Sequence, residues 1–185
     1  GKIKKFTYWI DLEKFKPINK DEAKKQLGWN KKFVVFFVGR LVPEKGINEL
    51  LHAAKLFNKN VQLVIAGIGP LESKIKKYES SYKNVTFLGS VANDELPLYY
   101  NAADILIVPS THEEGFGRVI LESLACGTPV IGSNRGAIPE AMDESVGRLI
   151  TVSPQNIAKA IMSLQKNKTL LYKLQKNART FAVKR

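Results

Sequence analysis

Two stretches of the chain, Phe33 to Val38 and Ile105 to Val108, are apolar without a break, and Val61 to Ala66 is nearly so. Unbroken apolar runs of this length, ended by glycine or proline, predict strands buried on both faces, as in a parallel sheet. Asn84 to Leu88 predicts a shorter, more exposed strand, and Val130-Ile131 and Gly147 to Val152 two more. Between them the spacing turns to three and four. Ile47, Leu50, Leu51, Ala54 and Phe57 mark an amphipathic helix over 47–57. Further helices are predicted over 71–82, over 94–101 with Pro97 in the first turn, and over 118–126, 136–142, 155–165 and 168–183. Asp21 is read as the cap of a short helix over 22–27, and Ser153 as the cap of the helix after it. Residues 1–19 show little periodicity and read as a linker.

Strand and helix thus alternate five or six times. That order predicts an α/β fold, a doubly wound, Rossmann-like parallel sheet flanked by helices, with right-handed crossovers. Ligands of such sheets bind beyond the carboxyl ends of the strands. The loops at 39–46, 67–70, 89–93, 110–117 and 133–136 are therefore where chemistry is sought.

The stretch from Asp104 to Gly132 concentrates the candidates. It reads as strand, glycine loop, helix, turn and strand, with Gly115 and Gly117 around Phe116 just before the helix. Backbone N–H groups and the helix dipole at such a place favour an anion. Gly115 and Gly117 leave the backbone open to a ligand, although a tight turn needs the same residues. The third glycine of a dinucleotide fingerprint is missing. Arg40 and Lys45 share the loop after the first strand and could clamp two adjacent phosphates; the alternative is two ordinary surface cations. Glu114 and Glu122 are carboxylates able to accept two sugar hydroxyls each. Glu122 lies in a mostly apolar helix, so a solvated outer position is unremarkable and a buried one requires partners. His112 reads as a polar loop residue, His52 as a surface-helix residue and Cys126 as core packing. No zinc, calcium or nucleophilic-triad pattern appears.

Length and composition narrow the class. The chain has 185 residues, enough for one domain with a substantial core. No apolar run approaches a membrane span, and no signal-peptide pattern follows the basic start. One cysteine rules out an internal disulfide framework and suits a reducing compartment. The net charge of +12 is uneven. Residues 1–32 carry ten lysines against four acids, and residues 159–185 carry eight bases and no acid. These ends suit an anionic membrane surface, or are solvated lysine faces. Nucleic acid is not expected as a partner, since the basic ends lack interleaved stacking aromatics.

Six segments taken in order, VGRLVPEKGINELLHAA, LVIAGIGPLESKIKK, VTFLGSV, LYYNAADILIVPS, EGFGRVILESLACGTPVIGS and GAIPEAM, closely resemble the C-terminal, nucleotide-sugar donor-binding domain of family-4 retaining glycosyltransferases (glycosyl transferases group 1, the GT-B fold). The resemblance covers residues 8 to 183 and includes the E-x7-E pattern, here Glu114 and Glu122. It implies two Rossmann-like domains facing across a cleft, with this one at residues 20–185 and residues 1–19 as the remnant of the interdomain linker. It implies that Arg40 and Lys45, beside Gly39, neutralise the donor diphosphate. Glu122 would hold the ribose hydroxyls, and Gly89 to Val91 would pass the nucleobase. Glu114, with the backbone of Gly115, Phe116 and Gly117, would touch the donor sugar and diphosphate, with Glu114 as the catalytic residue. No cofactor and no metal are expected; the nucleotide-diphosphate sugar is the donor substrate.

The linker departs from the family pattern, with Tyr8-Trp9 in place of Asn-Gly. The N-terminal, acceptor-binding domain is expected as the partner, this chain being read as a fragment inactive by itself. Expected localisation is cytoplasmic, with the inner face of the membrane as a docking surface. The alternatives are a nucleotide-sugar epimerase on the same fold and a nucleotide-binding module without catalysis.

Overall fold

A computed structural model of the chain describes residues 10–29, 32–113 and 117–185. Among these residues, six parallel strands form one sheet in the order β3-β2-β1-β4-β5-β6. They are β1 (Phe33–Val38), β2 (Val61–Ala66), β3 (Val85–Gly89), β4 (Ile105–Val108), β5 (Val130–Ser133) and β6 (Gly147–Ile150). The order runs outward from β1 to β3, then resumes from β4 on the other side of β1. Chain connections therefore diverge between β1 and β4, and a crevice opens at the carboxyl ends of those two strands. Val35 pairs with Ile105 and Phe36 with Leu106 across that junction.

Among the described residues, eight α-helices cover the two faces: α1 (Lys20–Gln26), α2 (Ile47–Ala54), α3 (Glu72–Ser81), α4 (Leu96–Ala102), α5 (Arg118–Ala125), α6 (Ile138–Ala141), α7 (Pro154–Lys166) and α8 (Lys168–Val183). Successive strand residues point to opposite faces. Val35, Phe37, Leu63 and Ile65 thus enter one core with α2 and α7, while Val34, Phe36, Val64 and Ala66 enter a second with α4 and α5. The apolar runs are continuous in sequence because both faces are packed.

Several boundaries differ from the sequence expectation. Asn19, not Asp21, caps α1: its side chain accepts from the N–H groups of Asp21 and Glu22. Asp21 sits in the first turn instead. α2 stops at Ala54, and residues 55–57 turn out of the helix. α6 is only four residues long, because the chain turns at Arg135 and Gly136 before Ile138. Pro97 does lie in the first turn of α4, and Ser153 does cap α7 through Asn156 N–H.

The segment before α1 is held on the domain at several points. Phe15 is 4% exposed and packs in the second core. Arg179, from α8, donates to the carbonyls of Leu12 and Phe15, and also to Ala125 at the end of α5. Asn101 of α4 accepts from Ile18 N–H and donates to Lys16 O. Lys14 reaches Asn93 and Asp94, just beyond β3. At the amino ends of the central strands β1 and β4, Lys24 binds Asp104, whose carboxylate also accepts Val34 N–H at 2.7 Å.

Candidate functional site

The loop after β1 and the loop after β4 form the walls of one pocket. Gly39 follows the last residue of β1, and a 3-10 turn, Pro43–Lys45, leads into α2 through Gly46. Gly46 has φ 72° and approaches Pro109 so closely that a Cβ would stand 1.9 Å from its carbonyl oxygen. Only glycine fits there. The two loops are further joined by Thr111 N–H donating to Glu44 O at 2.9 Å. This zipper sets Lys45 beside the β4 end.

The pocket between these walls has a volume of about 240 Å³. Gly39, Arg40 and Lys45 line one side, and Ser110, Gly117 and Arg118 the other. α5 begins at this point, with Gly117 as its N-cap and no side-chain cap. Its first-turn N–H groups and dipole act on the same space. Three cationic side chains and a helix N-terminus therefore converge at the junction of β1 and β4. The arrangement suits an anion with two adjacent charged groups.

Arg118 stands where a cation opposes the helix dipole. Its Nε donates to Glu122 Oε1 at 2.9 Å, one turn along α5. Glu122 is 3% exposed, and its other oxygen accepts from the Tyr100 hydroxyl at 2.9 Å. The carboxylate thus has both the partners its burial requires. Burial, and then the Glu122 charge, push the Tyr100 hydroxyl well above its usual range, so it stays a donor. The Arg118 guanidinium is held charged chiefly by its bond to Glu122. Burial pushes the Cys126 thiol up to about 12, which fits its place in the core.

The structure brings Gly39, Arg40, Lys45 and Gly117 together. Glu122 lies one turn from the pocket wall, behind Arg118. Val91 is half-buried against the second core, beyond β3 on the same edge of the sheet. Glu114, Gly115 and Phe116 lie outside the described residues. Ser110, Arg118 and Tyr100 were not singled out from sequence. Arg118 carried one signal, a cation placed directly after the N-cap glycine. Tyr100 carried none, because only packing of α4 on α5 selects it over Tyr99. Among the described residues, no three His, Cys, Asp or Glu side chains gather as a metal set, and no helix is long and apolar enough to cross a membrane.

Comparison with known proteins gives a consistent picture. The sequence model of the family described as "Glycosyl transferases group 1" matches residues 19–181. A D-inositol 3-phosphate glycosyltransferase of Mycolicibacterium gilvum is 38% identical over 156 residues, covering 79% of this chain and 35% of that protein. Anabaena Alr3699/HepE, solved in complex with UDP-glucose, superposes with a TM-score of 0.85 at 28% identity, covering 95% of this chain and 51% of that one. The C-terminal domain of a glycosyl transferase group 1 family protein (LpcC) from Francisella tularensis gives a TM-score of 0.85 at 28% identity, covering 96% and 98%. The chain spans about a third of the length of the first curated relative.

Proposed function

The chain belongs to the glycosyl transferases group 1, and from that premise we propose that it is the donor-binding domain of a retaining glycosyltransferase. Residues 20–185 would form that domain and residues 1–19 the segment joining it to an acceptor-binding partner domain. The observation that carries this reading is the convergence of Arg40, Lys45 and the α5 N-terminus on one pocket at the β1–β4 junction. Support comes from Alr3699/HepE, a protein of the same fold solved with UDP-glucose.

Breaking the anomeric C–O bond leaves a nucleoside diphosphate with one more negative charge. Arg40, Lys45 and the α5 dipole stabilise that charge as it develops, which lowers the barrier rather than merely tightening the ground state. These groups already answer the charge of the diphosphate, so in this reading the step runs without a metal. Glu122 takes the ribose hydroxyls, and Val91 borders the nucleobase. Glu114, with Gly115, Phe116 and Gly117, takes the donor sugar. The basic ends of the chain add an anionic membrane surface as a docking partner, on the inner, cytoplasmic face.

Calorimetric titration of this chain with UDP, GDP and ADP tests the reading. Binding of at least one is expected. A folded sample that binds none overturns it.

A further inference from the structure

We propose that Tyr100 is a positioning residue of the donor site, fixing the Glu122 carboxylate so that one oxygen is held at the pocket side for the ribose diol. The inference rests on the reading of Glu122 as the ribose acceptor.

Tyr100 is fully buried. Its ring packs edge-on against Phe36 at 5.7 Å and Phe15 at 6.1 Å. Its own carbonyl accepts from the Thr128 hydroxyl at 2.7 Å, and the Thr128 carbonyl accepts from the Ser123 hydroxyl of α5 at 2.9 Å. Ring and backbone are thus both braced, and the brace reaches the helix that carries Glu122. The hydroxyl donates to Oε2 alone of the two carboxylate oxygens. Oε1 is left to Arg118, whose side chain is 62% exposed and lines the pocket. An exposed partner is exchangeable, because water and a ligand compete for it; a fully buried one is not. The two oxygens therefore have different tasks. Oε2 is anchored in the core by Tyr100, and Oε1 is held by a partner that a sugar hydroxyl can replace. Without the Tyr100 hydroxyl only the exposed Arg118 orients the carboxylate, and Oε2 is left buried without a donor.

The test compares UDP, GDP and ADP with their 2′-deoxy counterparts on the native chain, Tyr100→Phe and Glu122→Gln. The native chain is expected to favour the ribose form by about tenfold, the factor of one charge-assisted hydrogen bond. Glu122→Gln loses that preference. Tyr100→Phe loses most of it while binding the deoxy form within about twofold of native, because the diphosphate contacts are intact. A merely structural role for Tyr100 weakens both forms alike and overturns the proposal, as does a Tyr100→Phe variant with the native preference. A native chain without any preference overturns the ribose reading of Glu122 first, and this inference with it.

If Tyr100→Phe is too unstable to titrate, the double variant Tyr100→Phe/Glu122→Gln removes the unpaired charge. It is expected to bind both forms as Glu122→Gln does. Weaker binding of the deoxy form than in Glu122→Gln overturns the proposal.

Discussion

Gly46 and Pro109 meet backbone to backbone: a Cβ on Gly46 would stand 1.9 Å from the Pro109 carbonyl oxygen and 2.8 Å from its carbon. The contact joins the loop that carries Lys45 to the loop that follows β4. Pocket geometry therefore depends on a position that does not itself line the pocket. Gly46→Ala combines this clash with a left-handed backbone at φ 72°. It is expected to cost at least about 2 kcal/mol in urea denaturation and to weaken diphosphate binding.

Arg118 separates charge from hydrogen bonding. Arg118→Gln keeps an N–H donor for Glu122 and removes the cation. Because the guanidinium is largely exposed, the change in stability is expected to stay under about 1 kcal/mol. Affinity for UDP, GDP or ADP is expected to fall about threefold or more, and the fall to shrink as salt is raised. Titrations at two ionic strengths check this.

Lys20 gives a pH dependence of known sign. Its ammonium faces Asp104, Lys24 and Asp21, and donates to the Ala103 carbonyl. Burial outweighs the pull of Asp104 and lowers its pKa from 10.5 to about 8. Below pH 8 both folded and unfolded chains carry the proton, and the folded one bears the burial cost. Between about 8 and 10.5 the unfolded chain binds more protons, so this group makes stability rise with pH. Lys20→Met keeps the aliphatic stem and loses the titration. The native-minus-variant difference in unfolding free energy is expected to rise across that window.

Arg179 ties the segment before α1 to the domain through the carbonyls of Leu12, Phe15 and Ala125. The rigid planar fork holds three carbonyls at once in a fixed geometry, whereas an ammonium on a flexible stem loses more entropy for each bond it makes. Arg179→Lys is expected to speed amide hydrogen exchange at Leu12 to Phe15 by about tenfold, with exchange in β1 and β4 unchanged.

The sheet was legible because its strands are buried on both faces, so Phe33–Val38 and Ile105–Val108 stand out as unbroken apolar runs. Helix ends were less so. Asn19 and Asp21 are both good caps, and which one is used depends on where the chain leaves Phe15 and Ile18. Phe57 fits the apolar stripe of α2, yet reaches the core from a turn after the helix has stopped. In the site, Arg40 and Lys45 could be singled out because a loop after a strand has a fixed place in an open α/β sheet. Glu122 could be named, but its environment could not. Burial of its carboxylate is set by α4 packing across α5, a contact between residues 22 apart that no local spacing encodes. Arg118 was readable in principle, since a cation at the first helical position runs against the dipole and needs an anion to account for it.

If the pocket at the β1–β4 junction holds the diphosphate of a nucleotide-sugar donor, its two loop cations carry the affinity for that group. Calorimetric titration of Arg40→Ala and Lys45→Ala with UDP, GDP and ADP, and with uridine, guanosine and adenosine, tests it most directly. Each substitution is expected to weaken the diphosphate by about tenfold or more and leave the nucleoside within about twofold. Equal losses for diphosphate and nucleoside, or no loss for either, would contradict the claim.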